Sequence, residues 1–292
     1  MAVEAYIDGN KINDARPLAV EAQSGSAVRF VDENGIAYGV KHVNNKPRVS
    51  SMPYLYDIAE GHVTGHVAWA KLGYNGDVGT TEEDVWTLGG IYAWPPAGGL
   101  QMSVVSASAN DAGGGSGVQT VRVLYLDPNY AEQSEIVTLN GVGVKTTVAT
   151  NIFRVQGFRA VTCGANGVAA GAIRLYNGAV NYSQIALGFT RARNITYTVP
   201  AGKALYITSA TFSNSSLKGV RFITKATYDH DADTLTDFFL PYTEVSMNSG
   251  AFYRPFELPT MFPAQVRIKV GVIADAAGGV ASVGLRGWLE DA

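Results

Sequence analysis

The 292-residue sequence is poor in charge, because charged residues make up only 16% of it, against about 25% in an average soluble protein. Lys and Arg together number 22 and Asp and Glu 25, so the formal net charge is −3. This balance lacks the basic excess with which proteins bind nucleic acid, and we expect no nucleic-acid partner. No apolar run approaches the ~18 residues of a membrane-spanning helix, so we expect no membrane partner either.

Cysteine and catalytic signatures are equally scarce. Cys163 is the single cysteine, which excludes an internal disulfide and leaves stability to packing and strand pairing. His62 and His66 lack the glutamate of the zinc-protease pattern, and residues 229–233 depart from a calcium loop and favour a hairpin turn. The acidic run 82–84 is interpreted as a solvated connector. We therefore expect no enzyme activity, no metal and no cofactor.

Alternating apolar and polar residues, rich in β-branched side chains, predict an all-β fold. The pattern favours two tandem β-sandwich domains of jelly-roll or immunoglobulin-like type, at residues 86–190 and 191–292. They are preceded by an N-terminal arm with a small β-hairpin element, residues 1–50. Residues 51–85 are rich in aromatics and glycine without alternation, and are predicted to be an extended connector arm that gains order from a neighbouring domain or subunit.

The two predicted sandwiches share an order of sequence features. In each, a tyrosine leads to Pro-Ala-Gly, at residues 96–98 and 200–202, and an alternating strand follows. The closing segments are also alike, since residues 153–177 and 266–291 both comprise a strand, an Ala/Gly-rich turn and a second strand. A period near 100 residues is the size of one sandwich, so the sequence predicts a duplication.

Within the first sandwich, the pair Asn140-Gly141 is the strongest turn signal of the chain. Asn-Gly supplies the positive φ angles that a tight hairpin requires. It lies between the apolar segments 135–139 and 142–148, and the sequence therefore predicts that these two segments pair as a hairpin.

Large rings are concentrated in the connector arm and in a proline-rich stretch of the second sandwich. Rings in such non-repetitive segments are typical of subunit contacts, but they can equally cap the sandwich core of their own subunit. The candidate interface residues are Tyr54, Tyr56, Trp69, Tyr74, Phe238, Phe239, Tyr242, Phe252, Tyr253, Phe256 and Phe262.

Several segments of the chain resemble a β-rich module of tailed-bacteriophage virion structural proteins. The resemblance is carried by residues 118–141 (VQTVRVLYLDPNYAEQSEIVTLNG), 150–158, 167–176, 46–66 and 72–90 (LGYNGDVGTTEEDVWTLGG). It extends over residues 40–292 as a pattern of strands and turns that contains no catalytic signature.

The resemblance implies a mechanical role in a phage particle, most simply as a capsid decoration or cement protein that reinforces or projects from the lattice. The implied partners are further copies of the chain, as a homo-oligomer such as a trimer, and the major capsid protein or tail and neck proteins. The implied location is the virion, assembled in the host cytoplasm. An alternative is a tail-fibre or baseplate protein that binds a host-surface glycan through exposed Trp and Tyr loops, with Trp69, Trp86 and Trp94 as candidates.

Overall fold

The computed structural model describes residues 54–229 and 234–292, together with six strands within residues 6–49; side chains are described for residues 55–228 and 239–292. It confirms the all-β prediction, with 58% of the chain in strands and 3% in helix. The chain divides into two compact units, Met1–Val63 and Thr64–Ala292. Within the described residues, no helix has the length and apolarity needed to cross a membrane.

The N-terminal unit contains two small antiparallel sheets and one helix. Strands β1 (Tyr6–Ile7) and β2 (Asn10–Lys11) pair with each other. A four-stranded meander follows in the order β3-β4-β5-β6. The bounds of these strands and of the helix are β3 Ala19–Gln23, β4 Ala27–Val31, β5 Ala37–Val43, β6 Lys46–Val49 and α1 Tyr54–Glu60.

The second unit begins with two strands, β7 (His66–Val78) and β8 (Glu83–Asp84), and continues into a first lobe of seven strands. These strands form two antiparallel sheets in the orders β12-β9-β14-β15 and β11-β10-β13, whose facing side chains share one core. Their bounds are β9 Ser103–Ser106, β10 Val118–Leu126, β11 Glu132–Thr138, β12 Lys145–Thr146, β13 Arg154–Cys163, β14 Ile173–Asn177 and β15 Val180–Ile185.

The second lobe contains the remaining strands together with β7 and β8. Its two sheets have the orders β20-β17-β22-β7 and β16-β21-β18-β19, with β8 also paired to β21, and enclose a second core. The bounds are β16 Tyr197–Thr198, β17 Lys203–Asn214, β18 Val220–Asp229, β19 Thr234–Met247, β20 Gly250–Phe262, β21 Arg267–Ala274 and β22 Gly279–Asp291.

The repeated sequence pattern coincides with a repeated strand order. Strands β9 to β14 of the first lobe occupy the same positions in their two sheets as β17 to β22 occupy in the second lobe. Strand β15 stands where β7 stands, at the end of the sheet beyond β14 or β22. Six consecutive strands therefore follow one path twice.

The two lobes are nested in the chain, whereas the sequence pattern predicts two tandem domains. The first lobe lies in the chain between β8 and β16, which both pair with β21 of the second lobe. Likewise, much of the predicted connector is sheet, because β7 pairs with β22 from His66 opposite Glu290 to Val78 opposite Gly279. This pairing joins residues more than 200 positions apart, so local periodicity cannot reveal it.

Strand β7 contains glycines at positions where β-branched residues would have indicated a strand. A Cβ atom at Gly73 would lie 2.6 Å from the Val85 carbonyl oxygen and 2.7 Å from the Ile195 Cβ. The strand thus lacks alternation at the point where the backbone of the same lobe approaches it most closely.

The predicted hairpin at Asn140-Gly141 is wrong. Strand β11 pairs with β10, while the residues after Gly141 cross to the other sheet, where β12 pairs with β9. Gly141 has a φ of +58°, and a Cβ there would lie 2.8 Å from the Ala109 Cα. The Asn-Gly pair therefore redirects the chain between two sheets rather than closing a hairpin.

Candidate functional site

The predicted interface residues of α1 and β7 have different surroundings. The side chain of Tyr54 lies outside the described residues, and that of Tyr56 is exposed on α1. Trp69 packs against the core of the second lobe, with its ring edge-on to Tyr197 at 4.9 Å between centroids. Tyr74 is half-buried, and the Arg193 guanidinium lies 3.9 Å from the centre of its ring.

The predicted interface stretch around residues 238–262 forms two strands, and several of its rings point into the lobe. Phe262 is buried in the core, while Tyr242 packs edge-on against it and donates a hydrogen bond of 2.7 Å from its hydroxyl to the Tyr228 carbonyl. Phe256 is partly buried against the same core, and Phe239 stacks on Trp94. Tyr242, Phe256 and Phe262 therefore contact the core of their own lobe. The side chain of Phe238 lies outside the described residues.

The remaining rings lie at an open side of the second lobe, which we call the β19–β20 edge. Strands β19 and β20 are the terminal strands of their sheets. On β20, Phe252 is 45% exposed, Tyr253 is 61% exposed and Leu258 is 84% exposed. Large apolar groups are thus concentrated on one strand that has no neighbour on its outer side in the described structure.

An irregularity in β20 explains the exposure of Leu258. Ser209 pairs with Pro255 and Ile207 pairs with Thr260, so residues 256–259 lie opposite the single residue Thr208. This bulge displaces Leu258 from the sheet and presents its side chain to solvent. Pro255 and Pro259 have no backbone N–H, which is a known protection of edge strands against pairing with a further strand.

A cavity of about 190 Å³ lies behind the β19–β20 edge and reaches the core at Leu285 and Ile207. The Arg254 side chain lines it and donates from Nη1 to the Thr243 hydroxyl at 2.8 Å. The buried Thr224 hydroxyl has no hydrogen-bond partner among the described residues. The two sheets are therefore incompletely closed at this edge.

A second concave feature, which we call the inter-lobe cleft, lies between the first lobe and β7 and has a volume of about 420 Å³. Trp69 and Lys71 of β7 form part of one wall, and residues of β10, β11 and β13 form the opposite wall. The Lys71 ammonium donates to the carbonyl oxygens of Gln156 at 2.6 Å and Asn194 at 3.3 Å. Burial lowers the pKa of Lys71 to about 7.

Contacts beside the cleft hold the lobes together. Gln156 of the first lobe accepts a hydrogen bond of 3.2 Å from the Thr198 backbone N–H and donates its amide to the Thr198 carbonyl. Since Thr198 belongs to β16, this paired contact fixes β13 against the second lobe.

The three tryptophans proposed for glycan binding are not equally available. Trp86 is buried and donates from its indole N–H to the Gly90 carbonyl at 3.1 Å. Trp94 is stacked on Phe239 and lies 5.6 Å from the Arg154 guanidinium. Of the three, Trp69 lines the inter-lobe cleft.

The acidic run expected to be solvated is partly internal. Asp84 is fully buried and forms an ion pair with Lys269, whose Nζ lies 3.0 Å from Oδ1 and 3.3 Å from Oδ2. The Tyr92 backbone N–H donates to Asp84 Oδ2 at 2.8 Å. Burial raises the pKa of Asp84, against the opposing attraction of Lys269. The sequence suggests a solvated carboxylate because Asp84 follows Glu82 and Glu83. Its ion-pair partner Lys269 is 185 residues away and cannot be identified from the local sequence.

No cluster of three or more His, Cys, Asp or Glu side chains that could hold a metal ion occurs in the part of the chain that the structure describes. His62 lies 3.5 Å from Glu60, and His66 lies 3.2 Å from Glu290, so each imidazole has a carboxylate neighbour. Residues 229–233, where a hairpin was expected, lie mostly outside the described residues, although Asp229 does pair with Thr234.

Comparison with known proteins gives weak structural neighbours only. No protein-family model and no curated protein matches the chain. The neighbours are viral capsid structures. One is the structure of infectious bursal disease virus Gx strain, at 11% identity over 77% of this chain and 72% of that chain, with a TM-score of 0.23. Another is the VP2 subviral particle of infectious bursal disease virus, at 11% identity over 77% and 72%, with a TM-score of 0.19. Scores this low carry no conclusion about the present chain.

Proposed function

We propose that the protein is a structural component of a virus particle that acts by self-association. The observation that supports this proposal is the β19–β20 edge, where Phe252, Tyr253 and Leu258 expose large apolar groups on an edge strand protected by prolines. Exposed apolar groups concentrated in this way are typical of contact surfaces. The prolines favour a contact made by side chains over one made by strand addition.

We further infer that the second lobe is a jelly roll. Its chain passes from β7 to β8 in the facing sheet, back to β17, across to the hairpin β18–β19, and then alternates sheets through β20, β21 and β22. Strands β8 and β16 pair with successive parts of β21 and together occupy one strand position, so each sheet has four positions. Two such sheets linked in this manner define the jelly-roll class, which includes viral capsid domains as well as lectins and cupins. The class is therefore compatible with a capsid role and does not by itself establish one.

The finer assignment rests on the resemblance to tailed-bacteriophage virion proteins. We propose a capsid decoration or cement protein, with a homo-oligomer such as a trimer as the working unit and the major capsid protein or a tail or neck protein as its support. Repeated weak contacts on a symmetric lattice would act together, since multivalent attachment greatly exceeds the affinity of a single contact. We propose no catalytic activity for the chain.

Replacing Phe252, Tyr253 and Leu258 together by serine is expected to convert the oligomer to monomer without unfolding it. The three side chains are 45–84% exposed and none belongs to the core cluster, so their loss removes apolar contact area between copies rather than core packing. Light scattering coupled to size-exclusion chromatography measures the mass, and circular dichroism checks the fold.

The matched control is Leu217→Ser, because Leu217 is 98% exposed on the β17–β18 loop of the same lobe. It is expected to leave the mass unchanged. A wild-type protein that is monomeric at all accessible concentrations, or a triple variant with the wild-type mass, would contradict the proposed contact.

A tail-fibre or baseplate protein that binds a host glycan is the second candidate. The observation that favours it is Trp69 in the wall of the inter-lobe cleft, a concave site of ligand size. Immunogold labelling of intact particles would distinguish the two candidates, since a decoration protein would be on the head and a receptor-binding protein on the tail.

A further inference from the structure

Three arginines lie side by side across neighbouring strands of the first lobe, and we call them the arginine row. Arg122 of β10 is directly opposite Arg159 of β13. On its other side, Arg159 is paired with Arg191 through an antiparallel backbone β-bridge. Residues that are directly opposite in antiparallel pairs project from the same face of the sheet. Because Val121 and Val123 point into the core, that face is the outer one.

The arginine row has no counter-ion within the described chain. None of the three guanidinium groups is within ion-pair distance of a carboxylate or forms a side-chain hydrogen bond there. Arg122 Nε is moreover buried without a partner. Like charges directly opposite each other destabilise a sheet, and a buried unpaired donor adds a desolvation cost. The free protein thus carries an unfavourable arrangement that a bound anion would relieve.

The arginine row opens into the inter-lobe cleft. Arg159 and Arg191 are exposed and line it, and Trp69 lies in the wall formed by β7. Exposed Glu132 and Gln133 of β11 also line the cleft, and their side chains form no hydrogen bond within the described residues. A guanidinium group binds a carboxylate through two parallel hydrogen bonds, and two neighbouring guanidinium groups add their charges at one site. The Trp69 ring offers an apolar surface to a sugar ring, and the remaining polar side chains can form hydrogen bonds with hydroxyl groups.

We propose that the arginine row and the adjoining cleft bind an acidic oligosaccharide, with a sugar carboxylate on Arg159 and Arg191. A polynucleotide is the less favoured anion, because the chain as a whole is negatively charged and such binding depends on an extended basic surface. The inference does not depend on the proposed self-association, since the arginine row is in the first lobe and the β19–β20 edge is in the second.

The test is isothermal titration calorimetry of the full chain with tri-galacturonate. The wild-type protein is expected to bind it, and Arg159→Gln and Arg191→Gln are each expected to weaken binding by about tenfold or more through loss of a charged hydrogen-bonding partner. The matched control is Arg174→Gln, an exposed arginine on β14 in the other sheet of the same lobe, which should bind as the wild type does.

A second readout follows from the like-charge arrangement. Without ligand, Arg159→Gln is expected to raise the Tm by about 1–3 °C, because it removes the central charge of the row. A role in structural ion pairing would lower the Tm instead. No binding of tri-galacturonate, or equal binding by the Arg159→Gln variant, would overturn the proposal. Equally tight binding of the neutral trisaccharide, of tripolyphosphate or of a single-stranded oligonucleotide would overturn the choice of an acidic sugar.

Discussion

Replacing Lys269 by methionine is expected to lower the free energy of unfolding by about 3–5 kcal/mol. The change leaves the Asp84 carboxylate fully buried, with the Tyr92 backbone N–H as its remaining close donor at 2.8 Å. Removing one partner of a buried ion pair costs far more than the pair itself contributes, because an uncompensated charge stays in a low-dielectric interior. Urea denaturation followed by fluorescence measures the loss.

Two further variants make this prediction specific. The double variant Asp84→Asn with Lys269→Met is expected to regain most of the lost stability, because it contains no buried charge. Lys203→Met is the matched control, since its ion pair with Asp291 is near the surface and exposed pairs contribute at most about 1 kcal/mol. A loss in Lys269→Met no larger than that of the control would contradict the account.

The same variant has a defined pH dependence. Burial already raises the pKa of Asp84, and removal of the Lys269 charge removes the attraction that opposes this rise. Between the unfolded value near 3.8 and the folded value the native state then binds more protons than the unfolded state, so stability falls as the pH rises. The deficit of Lys269→Met relative to wild type should therefore be smaller at pH 4 than at pH 7.

Replacing Asp111 by alanine is the second change with a large expected effect, a loss of about 4 kcal/mol or more. The buried carboxylate accepts four hydrogen bonds, from the Ser106 hydroxyl at 2.6 Å and from the backbone N–H groups of Val118 at 2.8 Å, Ala170 at 2.9 Å and Gly171 at 2.9 Å. It thereby ties the start of β10 to the loop before β14. Alanine leaves these donors without an acceptor in the interior.

The control for Asp111 is Asp127→Ala, because Asp127 accepts two backbone hydrogen bonds in an exposed turn of the same lobe, from Asn129 and Ala131. Water replaces those bonds, so a loss of about 1 kcal/mol is expected. Hydrogen exchange should localise the effect of Asp111→Ala to β9, β10 and β14. A variant with wild-type stability and wild-type exchange would show that the loops do not depend on this carboxylate.

Local patterns in the sequence were sufficient for the strand content and for the repeated path of the two lobes. Alternation is a property of consecutive residues, and the Pro-Ala-Gly turns at 96–98 and 200–202 mark corresponding points of both copies. Asn140-Gly141 misled because Asn140 does not adopt the positive φ angle of a tight hairpin, and the positive φ of Gly141 serves a crossing between sheets instead.

The features that depend on register could not be predicted. The arginine row exists because Arg122, Arg159 and Arg191 come from three separate segments aligned by pairing. The Asp84–Lys269 ion pair likewise joins two neighbouring strands, β8 and β21, that are 185 residues apart in the sequence. Exposure along β20 likewise depends on which face of a strand meets the core. These side-chain contacts and exposures are determined by how distant strands pair, which local patterns in a single sequence do not reveal.

The nesting of the lobes determines which segments of the chain can be deleted without disrupting a sheet. Trp86 and Asn194 form a bridge at the point where the chain leaves the second lobe and re-enters it, so the two ends of the intervening stretch are adjacent in space. Residues 87–193 could therefore be deleted as a unit, and a short linker could join Trp86 to Asn194. Deleting residues 1–78 has a different effect, because it removes the terminal strand β7 and leaves β22 without its partner on that side.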